Sequence, residues 1–329
     1  MCRKTAVRLQ GGAMQYDVLV VGRPTCDVIF TGLSNWPKPG RENYASGLKV
    51  SAGGAFNFSA ASSRLGLSVA FGGLIGNDVW SRFVREQFAR EGVSTEFLLV
   101  IDRPLPAVSV ALNVDEDRGF ITHEAEAEEC DCQLTEHVVE MISRIDARHV
   151  HIHLVPWLER VAEAASARGM SLSVDAWGWE PWLRSEDIWK LACLSDVLLM
   201  NDAEAMTMTG APNPRAALEQ LRELCKCVVI KKGARGAVAV VDGAVLHSST
   251  EPVQVVDATG AGDCFNAGFV YGLLHELPAG ASLALGNLCG GAAVQAVGGY
   301  AGCPTEGGLL DAARSRGIDI ADLGRVLRP

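Results

Sequence analysis

The chain has 329 residues, with 29 basic against 39 acidic side chains and a formal charge of −10, a balance that repels nucleic acid and anionic membranes where no basic patch compensates. No apolar run reaches the roughly 20 residues that span a bilayer, because Gly, Pro or a charge cuts every stretch. With 48% hydrophobic residues and 35 glycines there is material for a large core with many tight turns, and ten cysteines at irregular spacings fit reduced thiols in a cytoplasmic protein better than a disulfide framework.

Residues 1–13 carry Arg3, Lys4 and Arg8 but no long apolar segment, so they read as an N-terminal extension rather than a secretory signal. The domain, 14–329, opens with Tyr16-Asp17-Val18-Leu19-Val20-Val21-Gly22, a β-rich apolar run typical of a buried strand. Prolines 24, 37 and 39 then interrupt a polar stretch, which places 24–50 outside the main sheet. Small residues from Gly54 to Gly66 predict a closely packed helix, 69–73 a strand, and 80–91 a helix stopped at Gly92. Segments 107–114 and 119–122 read as a strand pair within a second excursion, about 105–124. From residue 150 the pattern alternates: strands at 150–155, 171–175, 196–200 and 227–231, helices at 157–168, 185–193, 202–209 and 214–225. Strands near 237–247 and helices near 262–276 and 280–297 follow. Such alternation predicts a doubly wound, mostly parallel α/β sheet with helices on both faces.

Several features carry a structural expectation. His149, His151 and His153 alternate and share one face of a strand; with no carboxylate cluster evident beside them they read as a packed row rather than a metal site. The pairs Cys130/Cys132 and Cys225/Cys227 lack partners at zinc-finger spacing. The acidic run Glu124, Glu126, Glu128 and Glu129 reads as a solvated face, and Arg103 and Arg118 as surface charges near the second excursion.

Chemistry concentrates in Asp257-Ala258-Thr259-Gly260-Ala261-Gly262-Asp263. Two glycines one residue apart allow a turn whose backbone N–H groups face one side, and Phe265, Phe269 and Leu273 at four-residue spacing predict a helix beginning there. Asp263 at that helix start is either a favourable terminal charge or a base beside a backbone anion hole, the geometry of phosphoryl transfer. The motif is open between the two.

This segment closely resembles the C-terminal signature of PfkB sugar kinases, the ribokinase-like family. The resemblance implies Asp263 as catalytic base and Gly260, Ala261 and Gly262 as the anion hole. Ala52-Gly53-Gly54-Ala55-Phe56-Asn57 matches the family's Gly-Gly-x-x-x-Asn motif, which implies Gly53, Gly54 and Asn57 at the substrate, and Asp27 matches a position that holds sugar hydroxyls. Asn201-Asp202-Ala203-Glu204 is similar to the Asn-x-x-Glu motif that organises Mg²⁺ and phosphate, with Asn201 and Glu204 acting partly through water; by itself it is an Asn cap with a first-turn acid. Lys231-Lys232-Gly233-Ala234-Arg235-Gly236 resembles the nucleotide-binding Thr-x-Gly-x-x-Gly loop, implying Gly233 and Gly236 near the nucleotide, with Lys231 standing where the family has Thr. Asn287 matches an Asn placed near the adenine, and Asp257 and Thr259 begin a monovalent-cation site of some members, implying K⁺.

The matches run from about residue 17 to 305 in family order. They imply an ATP- and Mg²⁺-dependent kinase acting on a hydroxyl of a small sugar or polyol, a β-sheet lid built by 24–50 and 105–124, and a homodimer through that lid. The alternatives are a nucleoside kinase and a non-catalytic sugar- or nucleotide-binding protein of the same fold. Trp177-Gly178-Trp179-Glu180-Pro181-Trp182 either stacks on a ring of the acceptor or covers the sheet edge. No Walker P-loop or early Gly-x-Gly-x-x-Gly is present.

Overall fold

A computed structural model describes residues 14–104, 107–114, 117–124, 127–177 and 180–320. The extension 1–13, Glu126, Gly178 and Trp179, and the side chains of Arg118, Glu128 and Glu129 lie outside the described residues. The strands in chain order are β1 Met14–Val21, β2 Pro24–Leu33, β3 Gly47–Gly54, β4 Val69–Gly72, β5 Leu74–Ile75, β6 Leu99–Val100 and β7 Ala107–Val114. They continue with β8 Asp117–Glu124, β9 Ile145–His153, β10 Ser171–Asp175, β11 Val197–Asn201, β12 Cys227–Lys231, β13 Ala237–Val241 and β14 Ala244–Ser248.

The main sheet has the order β14-β13-β12-β11-β10-β9-β1-β4. Pairings from β4 to β12 are parallel, and β12-β13 and β13-β14 are antiparallel. The sheet is therefore mostly parallel, as the alternation of strands and helices requires. Its two faces follow the period-2 alternation of side chains. Leu19, Val150, Leu172, Leu198 and Val228 enter one core, covered by helices such as Glu159–Ala167 and Asp202–Thr209. Val18, Val20, Val197, Leu199 and Val229 face the other side, where Ala55–Arg64, Ala261–Leu274 and Ala279–Ala293 pack. Each large apolar side chain buried this completely contributes about 1.5–3 kcal/mol.

Within the helix Ala261–Leu274, Phe265 and Phe269 are buried against the sheet, whereas Leu273 is 37% exposed, so the predicted stripe ends one turn early. His149 and His151 lie in the core and bond Ser171 and Ser173, and the His151 ring stacks on Phe58. Burial holds both rings neutral, His149 down at about 4, which makes them the packed row expected from the alternation.

The segments read as excursions form a second, four-stranded sheet in the order β3-β2-β7-β8. The acidic run read as a solvated face leads into a helix, Ala127–Ile142, which sends Leu134, Val138 and Ile142 into the core. The charged N-terminal half of that helix hid its apolar stripe. A further helix, Glu306–Ser315, closes the described fold.

Candidate active site

In a parallel sheet the carboxyl ends of the strands share one edge, and β1 lies between β4 and β9 so that the winding reverses at that point. Four neighbouring strands end there in polar residues: β9 in His153, β10 in Asp175, β11 in Asn201 and β12 in Lys231. The register sets His153 opposite Asp175 and Asn201 opposite Lys231. A cavity of about 1300 Å³ opens over this edge and beneath Phe120, Thr122 and Glu124 of β8. Beside it, a second cavity of about 370 Å³ runs past Val253, Val255, Phe265 and Asn287.

Gly260 has φ 67 and caps the helix Ala261–Leu274 without a side-chain bond. A Cβ there would come within 1.8 Å of the Gly299 carbonyl oxygen, so glycine is required for both the turn and the approach. Ala261 N–H closes the turn onto the Ala258 carbonyl at 3.4 Å. The turn leaves a positive helix end directed at both cavities: Gly260, Gly262 and Asp263 line the larger one, Ala261 and Gly262 the smaller.

Asn57 Nδ2 donates to Asp263 Oδ2 at 3.2 Å, joining two motifs separated by 206 positions. Burial, then the nearby Asp175 charge, pushes the Asp263 carboxyl up to about 7, opposed by Lys231. Lys231 Nζ donates to Asp175 Oδ1 at 2.8 Å and to Asn266 Oδ1 at 3.1 Å. Although burial disfavours its charge, the Asp175 and Glu204 carboxylates hold the lysine above its ordinary value.

Asn201 and Glu204 form a reciprocal capping box: Glu204 N–H donates to Asn201 Oδ1 at 2.8 Å and Asn201 N–H to Glu204 Oε2 at 2.7 Å. The cap is thus real, and it also fixes the Glu204 carboxylate in the cavity wall, where burial raises it to about 7.

In the second sheet, Thr25 Oγ1 donates to Asp27 Oδ1 at 2.7 Å, and burial raises Asp27 to about 6. The carboxylate lies over Gly53, whose Cβ would sit 2.0 Å from Asp27 Oδ2, so only glycine fits. Gly54 lines the cavity next to it. Asp257 accepts from Thr259 N–H and Gly298 N–H, each at 2.9 Å, and feels the charge of Lys49, which donates to the Val297 carbonyl. Gly233 and Gly236 line the smaller cavity. The Asn287 amide donates to Ser248 Oγ at 2.9 Å and to the Ser248 carbonyl at 3.1 Å, so it also ties down the strand beside that cavity.

Several residues here escaped the sequence reading. Asp175 and His153 come to Asp263 from separate strands and Asn266 from the next turn of the same helix, and ligand atoms of His153, Asp175 and Asp263 lie within 4.8 Å of one another. The carboxylates absent from the neighbourhood of the histidines in sequence are therefore present in space, although Lys231 already supplies the cation on Asp175. Arg23, 7% exposed, pairs with Glu124 and Asp131 and lies over the Trp157 ring. Glu124 is thus an ion-paired cavity wall, and Arg23, unlike exposed Arg103, lines a small cavity with Thr25, Gly54 and Trp177. Trp177 stacks on His153 and meets Trp182, and both tryptophans line the large cavity. A usable signal existed for the strand residues: His153 and Asp175 are the last residues of parallel strands, whose carboxyl ends form the edge where ligands bind in such folds.

A doubly wound α/β fold with a glycine turn, a near-neutral carboxylate and two adjoining cavities at its switch point defines a small-molecule kinase of the ribokinase-like class. The family model described as pfkB family carbohydrate kinase matches residues 15–306, and the chain belongs to that family. Among curated relatives it is 27% identical over 310 residues to aminoimidazole riboside kinase of Salmonella typhimurium, covering 87% of this chain and 92% of the relative. A shorter match, 44% over 85 residues, is to inositol 3-kinase of Zea mays, covering 26% of this chain and 22% of that enzyme. The fold matches Arabidopsis thaliana ribokinase complexed with ribose and ATP, with TM-score 0.75 and 22% identity over 91% of this chain and 98% of that one. Among the described residues no helix is long and apolar enough to cross a membrane.

Proposed function

We propose that the chain transfers the γ-phosphoryl of ATP to a hydroxyl of a small, uncharged sugar or sugar-like polyol. The observation that carries this is the position of Asp263, a carboxylate with a pKa of about 7, oriented by Asn57, beside a helix N-terminus where two cavities adjoin. The acceptor hydroxyl gives its proton to Asp263 as its oxygen attacks phosphorus, and the positive helix end at the 260–262 turn holds the phosphoryl oxygens. Adenosine fits the smaller cavity, where apolar Val253 and Val255 flank Gly233, Gly236 and Asn287. Asn201 and Glu204 are hard oxygen donors at the edge of the larger cavity; Glu204 with its other oxygen would hold Mg²⁺, which supplies charge neutralisation on the phosphates.

The acceptor side favours a neutral polyol. Its cavity carboxylates, Glu124 and Asp175, accept from hydroxyls, as would Asp27 beside Gly53, while its arginine is already neutralised by two acids. Trp177 and Trp182 favour a second reading, a nucleoside acceptor whose base stacks on them. The second sheet acts as a lid that excludes water, and two copies pair through it. A K⁺ site at Asp257 and Thr259 contributes little, because the Lys49 ammonium already faces Asp257.

ADP release with Mg²⁺ and ATP, measured over pentoses, hexoses, keto-sugar acids, inositols and nucleosides in K⁺ and in tetramethylammonium buffer, tests these points. A polyol is expected to turn over in both buffers. Asp263→Asn should fold, bind ATP and lose at least a hundredfold in kcat; normal turnover in that variant overturns the mechanism.

A further inference from the structure

Both cavities are lined by Lys231, Gly233, Ala258 and Gly262, so the phosphoryl group must pass those four residues on its way from nucleotide to acceptor. Lys231 is the only one of them with a charged side chain, and the only lysine or arginine lining either cavity among the described residues. Its side chain is 13% exposed. A Cβ on Gly262 would come within 3.3 Å of Nζ, so the ammonium lies against the anion turn itself. Of its three N–H groups, Asp175 and Asn266 take two, and one remains. Asp175 and Asn266 hold the ammonium from two different elements, β10 and the helix that starts at the anion turn, so it is fixed before any substrate arrives.

The surrounding charge needs such a group. Asp175, Glu204 and Asp263 are three acids around one lysine, and the phosphates of a nucleotide add further negative charge at the same place. A backbone turn offers partial charges only. A fixed ammonium at the crossing point offers a full one to the oxygens whose charge changes in transit.

We propose, building on the kinase reading above, that Lys231 is a catalytic residue whose free N–H contacts the phosphoryl group during transfer. The acceptor O–P bond forms, the bond from phosphorus to the ADP oxygen breaks, the acceptor proton goes to Asp263, and Lys231 keeps its own protons throughout. Lys231 thereby adds to the glycine turn a charged side chain that the Thr-x-Gly-x-x-Gly pattern would not provide at this position.

The test compares Lys231→Met, Lys231→Arg and Asp263→Asn with the parent enzyme, using the best acceptor of the panel and a full pH profile. MgATP affinity, and affinity for MgADP with aluminium fluoride as a mimic of the group in flight, are measured by calorimetry. Lys231→Met is expected to lose on the order of 10²–10³ in kcat at every pH, as removal of an oxyanion donor does, with MgATP affinity changed less than tenfold. Affinity for the aluminium fluoride complex should fall in parallel with kcat, and Lys231→Arg should recover part of both.

A different result identifies a merely supporting lysine. If the acid limb of the Lys231→Met profile moves up in pH and the plateau returns to the parent value, Lys231 only tunes Asp263 and the proposal is wrong. An unchanged kcat with a raised KM for ATP also overturns it. If Lys231→Met misfolds because Asp175 is left unpaired, Asp175→Asn with Lys231→Met is compared with Asp175→Asn alone, and the same loss of kcat is required. A dead Asp263→Asn beside a fully active Lys231→Met leaves the kinase reading intact and removes only this inference.

Discussion

Asp263 shows how one carboxylate is tuned by its surroundings. Burial and the charge of Asp175 raise it to about 7, while Lys231 and the Asn57 amide pull it back. In the free enzyme kcat/KM should therefore rise with pH through about 7 as the base ionises, a limb that persists in Glu204→Gln if it belongs to Asp263. The stability sign is opposite. A carboxyl whose folded pKa lies above its unfolded value of ~3.9 stabilises the fold fully only below that value, and the contribution is lost as pH rises through about 7. At pH 8 Asp263→Asn should accordingly melt higher than the parent while losing activity; a lower melting temperature there contradicts the burial cost assigned to this group. Arg23 is the reverse case, a buried cation with two acids, Glu124 and Asp131, where the loss of the arginine would leave buried charge behind.

At the scale of elements, the site depends on where helices and strands stop. The helix Ala261–Leu274 has no side-chain cap, and its positive end stays available only because Gly260 adopts φ 67 against Gly299. Gly260→Ala meets both the left-handed penalty of roughly 1–2 kcal/mol and a backbone oxygen in its way. It is expected to cut kcat/KM at least tenfold and to lower the melting temperature. Gly169→Ala, at φ 72 with open space around it, serves as the control that carries the conformational penalty alone. Equal effects of the two substitutions on kcat/KM would show that the approach to Gly299 is unimportant. The Asn201 and Glu204 pair makes a related point, since a capping box and a cavity wall are here one structure.

For the whole molecule, the second sheet has two unlike faces. Pairing sets Asp27 beside Ser51 and Ser109, and Ser109 beside Thr122, on the cavity side. Val28, Val50, Val110 and Ile121 align on the opposite side, where Leu48 is 64% and Ile121 68% exposed. Exposed apolar residues on both edge strands of one sheet face, with partly buried valines between them, suit a second copy of the chain. Sedimentation equilibrium should give a dimer that Leu48→Asp with Ile121→Asp converts to a monomer; a parent protein that is monomeric at micromolar concentration rules out the pairing. The sequence alone determined the parallel α/β core and the glycine turn at 260–262, because period-2 apolar strands, helix stops and paired glycines are local and the backbone has few ways to satisfy them. It also marked Asp27, Asn57 and Asp263, though only through motifs far apart in the chain. Tertiary structure alone brought Asp175, His153 and Lys231 to one point beside Asp263 and gave Arg23 its two acids, since these contacts depend on strand order and register. No spacing along the chain encodes which strand ends lie side by side; the burial of two apolar sheet faces decides that, and the active site forms where the winding reverses.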